Sequence, residues 1–204
     1  MRAIQNPPDS TSHSTPLTGE LLRAATARKT NPRGFPNVDL VTHEGEKVKF
    51  YDDVLKGKVV LISFMYTNCD GKCPGITANL VRVQKALGDR AGRDVFMYSI
   101  SLDPERDTPE VLKDYAGNFS VGPGWTFLTG GPEAIEVVRR KLGYRDRDPR
   151  LDKDKSQHSG LVLVGNEPID RWSACPGQVK PDRILQSVDW VTGLKRGAAV
   201  VATN

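Results

Sequence analysis

Cysteine is scarce in this chain: three among 204 residues, at positions 69, 73 and 175. That excludes a disulfide framework, which needs an even set of cysteines, and leaves two close thiols and a remote one. No run approaches the roughly 18 apolar residues of a membrane span. Residues 1–30 hold no apolar stretch of the kind a secretory leader carries, so no uncleaved signal peptide is expected there. Nowhere do basic residues interleave with aromatics in a stripe, and the net charge is only +4, which sets nucleic-acid binding aside. Histidine is equally sparse, at 13, 43 and 158, and no proline falls between Arg150 and Glu167.

What is present reads as one domain with a lead-in and a tail. Residues 1–33 are rich in Ser, Thr, Pro and charge, and are expected to be flexible, with one short helix near Thr18–Arg28. Residues 34–195 are expected to form the domain, and residues 196–204 a flexible end. Within the domain, "VDLVTHEGEKVKF" predicts a hairpin turning at His43–Glu46, with His43 an exposed turn residue. "KVVLISFMY" is a continuous apolar run, the mark of a central strand buried on both faces. A helix over "PGITANLVRVQKALG" follows, with Ile76, Leu80, Val83 and Leu87 at helical spacing.

Two further strand–helix pairs come next, "DVFMYSIS" with "TPEVLKDYAGNF" and "WTFLTG" with "GPEAIEVVRRKLG". The chain closes with a hairpin, "GLVLVG" and "IDRWSAC", and a helix, "KPDRILQSVDWVTGL". Pro74, Pro109 and Pro132 are placed at first helical positions, capped by Cys73, Thr108 and Gly131. This order predicts an α/β protein of thioredoxin-like fold: a mixed central sheet flanked by helices, with an N-terminal β-hairpin and an inserted strand–helix unit. The charged stretch "DRDPRLDKDK", residues 146–155, reads as a solvated connection leading to His158.

Cys69 and Cys73 follow the most apolar strand, and open α/β sheets place their ligands at the carboxyl ends of strands. A cysteine at a helix N-terminus has its thiolate stabilised by free N–H groups and the helix dipole, an effect expected here for Cys73. Thiolate attacks disulfides and also binds soft metals, so the local chemistry leaves both readings open. Three intervening residues still permit a disulfide when the Cα atoms come within about 7 Å. Two thiolates with one imidazole suit copper, and the same set with a fourth ligand would suit zinc. His158 is the imidazole candidate, because it opens a late strand that faces the cysteine loop in thioredoxin folds.

Taken together, Cys69, Cys73-Pro74, "SLDPERDTPE" and His158 give a chain that resembles the Sco/SenC family of copper-binding, thioredoxin-fold proteins, over roughly Phe35 to Trp190. The resemblance implies that Cys69, Cys73 and His158 bind copper, as Cu(I), Cu(II) or both. It implies a chaperone rather than an enzyme, serving the copper centre of cytochrome c oxidase or a similar envelope cuproprotein. It also implies a periplasmic or cell-envelope location, any membrane anchor lying outside this chain, and a monomer. Asp103 and Asp107 are the acidic positions of the matching stretch, as turn and cap residues, as a partner contact or as support for the copper loop.

Two departures stand out. Gln157 occupies the place where many members carry Asp before the histidine, and a carboxylate there would orient the imidazole. Cys175 is the other. With Asn166-Glu167 as a two-residue hairpin loop, Cys175 falls directly opposite His158, as a further copper ligand, a resolving thiol or a spectator. Three other functions compete with copper delivery. A thiol–disulfide oxidoreductase acting on a cuproprotein's cysteines would use Cys69 and Cys73 as its redox pair, without the proline that oxidoreductases of the fold carry. Structural zinc would use the same residues. A peroxidase needs Thr three residues before its cysteine, where this chain has Tyr66 and Asp70.

Overall fold

The computed structural model describes residues 31, 33–145, 148–153 and 160–193. The expected helix at Thr18–Arg28, both expected flexible ends, His13, Gln157 and His158 lie outside them. Every element below belongs to one unit that begins at Arg33. In chain order these are β1 (Asp39–Thr42), β2 (Lys47–Lys49), a π-helical turn (Phe50–Leu55), β3 (Val59–Met65), α1 (Lys72–Leu87), β4 (Phe96–Ser101), α2 (Pro109–Asn118) and β5 (Trp125–Gly130). There follow α3 (Pro132–Lys141), α4 (Pro149–Lys153), β6 (Leu161–Asn166), β7 (Arg171–Pro176) and α5 (Pro181–Thr192). No described helix is long and apolar enough to cross a membrane.

The sheet has seven strands in the order β2-β1-β5-β4-β3-β6-β7. Strands β3, β4 and β5 run parallel, while β1 and β6 are antiparallel to their neighbours. This is the thioredoxin-like mixed sheet that the alternation of elements predicts. Strand β3 sits near the middle, and its continuous apolar run serves two cores at once. Leu61 and Met65 pack with α1, α2 and α5 residues such as Leu80, Leu112 and Val188 on one face. Val60, Ile62 and Phe64 pack with Leu40, Phe50, Leu55 and Val138 on the other. Successive strand residues point to opposite faces, so only a run apolar at nearly every position can supply both. The polar exception, Ser63, is buried against Ser99 at 3.0 Å, and Ser99 in turn accepts from Trp125 Nε1 at 3.0 Å. Buried hydroxyls are tolerated when they are paired in this way.

The helix starts follow the chemistry of their first turns. Thr108 caps α2, its hydroxyl accepting from the Val111 N–H, with Pro109 at the first position. Pro132 and Pro181 open α3 and α5 likewise. Helix α1 departs from expectation: it begins at Lys72 with Gly71 as cap, so Cys73 lies inside the helix and Pro74 one position further. Of the charged stretch expected as a solvated connection, residues 148–153 are described. They include α4, fastened by Arg139, which donates to both carboxylate oxygens of Asp152 at 2.7 and 2.9 Å. His43 is not a free turn residue; its Nδ1 accepts from the Phe127 N–H at 3.2 Å.

The closing hairpin carries the largest correction. Its loop is not Asn166-Glu167 but a 3₁₀ turn over Glu167–Ile169 followed by Asp170 in the left-handed region (φ 52°). Asn166 therefore pairs with Arg171, and Cys175 pairs with Val162 rather than with His158. The cause is tertiary. Glu167 is buried, accepting from the Tyr51 hydroxyl at 2.9 Å and the Gly57 N–H at 2.8 Å, so it cannot occupy an exposed tight turn. Helix α1 is seated on the start of this hairpin through Ile76, which lies between Gly160 and Gly177, and through Asn79, whose Nδ2 donates to the carbonyls of Gly177 and Val179 at 2.8 and 2.7 Å.

Candidate metal centre

The carboxyl end of β3 runs into Tyr66, Thr67 and Asn68, reaches Cys69, and turns through Asp70 and Gly71 into α1. The loop after β4 holds this segment from beside it. The Leu102 N–H donates to the Met65 carbonyl at 2.8 Å, extending the strand pairing by one bond. Asp107, only 1% exposed, accepts from the Thr67 hydroxyl at 2.5 Å and from the Thr67 N–H at 3.3 Å. It also accepts from the Ser101 hydroxyl at 2.5 Å, and Ser101 Oγ in turn accepts from the Asp103 N–H at 2.9 Å. The Asp103 carbonyl receives the Arg106 and Asp107 N–H groups at 3.0 and 2.9 Å, closing the turn. Asp107 thus ties the residue two before Cys69 to the strand next door, while Asp103 shapes the turn that presents Asp107.

Cys69 and Cys73 come together, and both are buried. Burial raises the Cys69 thiol, but hydrogen bonds from the Cys73 thiol, the Cys73 and Gly71 N–H groups and the Tyr66 hydroxyl outweigh it and hold Cys69 below the usual thiol range. Burial, with donation to Cys69 next in size, pushes Cys73 up to about 12. The roles are therefore the reverse of those expected from placing Cys73 at the helix cap. No side chain caps α1 through its Gly71 position; the Cys69 sulfur takes that place, receiving the N–H groups of Gly71 and of Cys73 in the first turn, where a negative charge is favoured. Beneath the pair, Tyr115 is hydrogen-bonded to Thr77 at 3.0 Å, and burial pushes its hydroxyl up to about 12.

Cys175 faces the same core layer as Cys69 and Cys73, but it is placed differently. It stands in the row of Ser63 and Val162, two strands from β3, about 10 Å to the side given the usual strand spacing. It lines an open groove with Ser173, Val179, Arg183, Gln186, Ser187 and Trp190, and burial raises its thiol. Among the described residues no three His, Cys, Asp or Glu side chains form a metal cluster, so neither Cys175 nor Asp103 nor Asp107 joins the cysteine pair in one. Tyr66, Thr67, Ser101 and Tyr115 escaped the sequence reading. Tyr66 and Thr67 flank the motif and offered a weak signal; Ser101 and Tyr115 offered none, since the fold alone brings them in.

Two thiols hydrogen-bonded to one another at a helix N-terminus form a soft donor pair. The family model described as SCO1/SenC matches residues 27–193. The chain belongs to the SCO1/SenC family. Among SCO1/SenC relatives, a SCO1 protein homolog of Bacillus subtilis is 36% identical over 114 residues, covering 54% of this chain and 58% of that protein. This chain thus matches little more than half the length of that relative.

Among solved structures, Bradyrhizobium japonicum ScoI with copper bound is 30% identical, with a TM-score of 0.60 over 75% of this chain and 96% of that one. BsSco, described as a Sco family cytochrome c oxidase assembly protein with a disulfide switch, is 29% identical, with a TM-score of 0.63 over 79% and 94%.

Proposed function

We propose that this chain is a copper chaperone in which the Cys69 and Cys73 sulfurs and the His158 imidazole hold Cu(I) or Cu(II) and release it to an acceptor cuproprotein, such as a cytochrome c oxidase subunit, at the cell envelope. The observation that carries the reading is the hydrogen bond between the two thiols, with Cys69 additionally backed by the N–H groups of Gly71 and Cys73. A pair already within bonding reach of each other can converge on one ion without rearranging the loop, and thiolate sulfur favours Cu(I). The copper-bound relatives support the choice of metal. His158 completes the set by family resemblance. Release follows ligand exchange: an acceptor thiolate binds the ion, one donor of this chain departs and takes up a proton, and the exchange repeats until the ion has moved.

Anaerobic Cu(I) titration of the reduced protein tests this reading. One equivalent should bind, and Cys69→Ser and Cys73→Ser should each lose it. Oxidation to the Cys69–Cys73 disulfide removes both soft donors, so oxidised protein that retains Cu(I) with unchanged affinity refutes the assignment. Metal analysis that returns tightly held zinc instead would favour a structural site.

A second reading, thiol–disulfide exchange with the acceptor, has its own support in the inequality of the two thiols and in the disulfide switch described for BsSco. The Cys69 thiolate would attack an acceptor disulfide. Cys73 would then displace the acceptor's sulfur, leaving a Cys69–Cys73 disulfide and two acceptor thiols. This reading requires a trapped mixed disulfide to form through Cys69 in the Cys73→Ser protein.

A further inference from the structure

The seven-stranded sheet has two edges, β2 and β7, and they are finished differently. Strand β2 is three residues long with a lysine at each end, Lys47 and Lys49, and Lys49 pairs with Asp39 at 2.7 Å. Short length and charge both blunt an edge against further pairing. Strand β7 has six residues, and the four between Arg171 and Pro176 (Trp172, Ser173, Ala174 and Cys175) carry no charge. Among the described residues no strand pairs with its outer side.

The Gly177 N–H donates to the Gly160 carbonyl at 2.8 Å, and these two residues continue the β6–β7 register. Hydrogen-bonded pairs alternate along an antiparallel ladder, so Val162–Cys175, Val164–Ser173 and Asn166–Arg171 bond inward. The N–H and C=O groups of Trp172 and Ala174 therefore point outward, two donors and two acceptors with about 7 Å between the residues. Ser173 and Cys175, with Val179, Arg183 and Trp190, line an open groove of about 400 Å³ against α5, within the size range of binding sites. Trp190 is 57% exposed there. Arg183, in the first turn of α5, is the one charged residue among the described ones lining the groove. No described carboxylate pairs with it, and its guanidinium donates to Gln186 at 3.3 Å.

We propose that the free edge of β7 seats an extended segment of a partner protein as an eighth strand, with side chains in the pattern acid–x–apolar. Unpaired main-chain groups on an edge select a strand as the occupant, and antiparallel pairing is the stabler kind. Residues of the segment opposite Cys175 and Ser173 turn their side chains into the groove. Helix α5 runs back along β7, with Arg183 toward the Cys175 end and Trp190 toward the Arg171 end, where the Arg171 guanidinium donates to the Trp190 carbonyl at 3.0 Å. The residue opposite Cys175 is thus the acid, favoured by Arg183 and by the N-terminal end of α5. The residue opposite Ser173 is apolar and packs on Trp190. A second copy of this chain fits badly. Pairing Trp172 with the copy's Ala174 would set the copy's Arg171 opposite Cys175, beside Arg183, like charge against like. The seat uses neither Cys69 nor Cys73, so docking is measured apart from copper binding.

The test uses the reduced, metal-free protein and the acetylated, amidated heptapeptide Lys-Thr-Glu-Thr-Val-Thr-Lys, followed by calorimetry and by amide hydrogen exchange in NMR spectra. One altered peptide has Lys in place of Glu. Another carries N-methyl groups on the two Thr that follow Glu and Val, which removes the N–H groups meant for β7. The parent peptide is expected to bind and to slow exchange of the Trp172 and Ala174 amides at least tenfold. Lys in place of Glu should weaken binding about tenfold, the loss typical of one charge-assisted hydrogen bond, and Arg183→Glu should reverse that preference. The N-methylated peptide should not bind. Ala174→Pro removes one outward N–H, a change that an edge strand accepts, and should abolish binding.

No binding of the parent at millimolar peptide overturns the seat, as does equal binding of the N-methylated peptide. Binding that leaves the Trp172 and Ala174 amides exchanging as before also overturns it. Protection of those amides that rises with protein concentration alone would assign the edge to a second copy instead. Should Ala174→Pro fail to fold, the N-methylated peptide makes the same test with the protein untouched.

Discussion

Replacing Asp107 by Asn should loosen the cysteine loop and lower stability together, because one buried carboxylate performs both tasks. The substitution keeps the volume but turns one acceptor oxygen into a donor. At Asp107 that donor would face either the Thr67 hydroxyl or the Ser101 hydroxyl, each now 2.5 Å away. Hydrogen bonds to a charged group contribute about 1.5–3 kcal/mol, and a buried donor left unmatched costs a further 1–3 kcal/mol or so. Relief of burying a carboxylate offsets part of this. The expected net loss is about 2–4 kcal/mol, which for a chain of this size lowers Tm by roughly 5–15 °C.

The sharper test of Asp107 is its coupling to Thr67. Thr67→Val removes the hydroxyl while preserving shape, and the Thr67→Val/Asp107→Asn double variant completes a cycle. Urea unfolding of the reduced, metal-free protein, followed by circular dichroism, gives the four stabilities. A coupling energy of about 1–2 kcal/mol is expected from the single shared hydrogen bond. Additivity within about 0.5 kcal/mol would show that the loop does not hang on this contact. Cu(I) affinity should fall in Asp107→Asn even at temperatures where the protein stays folded, since Thr67 stands two residues from Cys69.

Two other consequences can be measured directly. Gly177→Ala would place a Cβ 2.7 Å from Ile76 Cγ2 and 3.1 Å from the Gly160 carbonyl oxygen. Helix α1 must shift to admit it, at a cost of about 1–3 kcal/mol; a Tm equal to wild type would mean that Ile76 gives way freely. Burial pushes the hydroxyls of Tyr98 and Tyr115 up to about 12. The unfolded chain loses these protons near pH 10 while the folded one retains them, so their contribution is complete below pH 10 and is lost as the pH climbs toward 12. The slope is about 1.4 kcal/mol per pH unit for each tyrosine. Absorbance near 295 nm should show both ionising with unfolding rather than before it, and two ordinary titrations near pH 10 in folded protein would contradict the burial.

The alternation of apolar runs and helical spacings made most of the fold legible, because β3 and the helix of Ile76, Leu80, Val83 and Leu87 announce themselves locally. What escaped was set by distant partners. Glu167 reads as a turn residue until Tyr51 and Gly57 are seen to claim it, and that claim moves every partner in the closing hairpin by four residues. The same displacement takes Cys175 away from the place opposite His158. Local reasoning correctly located a helix N-terminus beside the cysteines, yet gave its benefit to Cys73. The helix begins two residues earlier, at Lys72, so the N–H groups of Gly71 and Cys73 serve Cys69, and the Cys73 thiol becomes a donor. Asp107 was legible as a residue of interest, but its partners are Thr67, just past the end of β3, and Ser101, the last residue of β4, which only the parallel pairing of those strands juxtaposes.

The position of β3 between β4 and β6 has a consequence in time. A chain emerging from its N-terminus makes β3, both cysteines and β4 long before it makes β6, since Val59 pairs with Asn166. Until that late strand docks, one edge of β3 stays open and Ile76 has no Gly160–Gly177 notch to enter. Long-range pairings of this kind form slowly. The thiols therefore pass through an interval in which they are made but unsheltered, open to air and to stray metal alike. Whatever guards newly made cysteines in the surrounding compartment acts in that interval, before the protein can protect them itself.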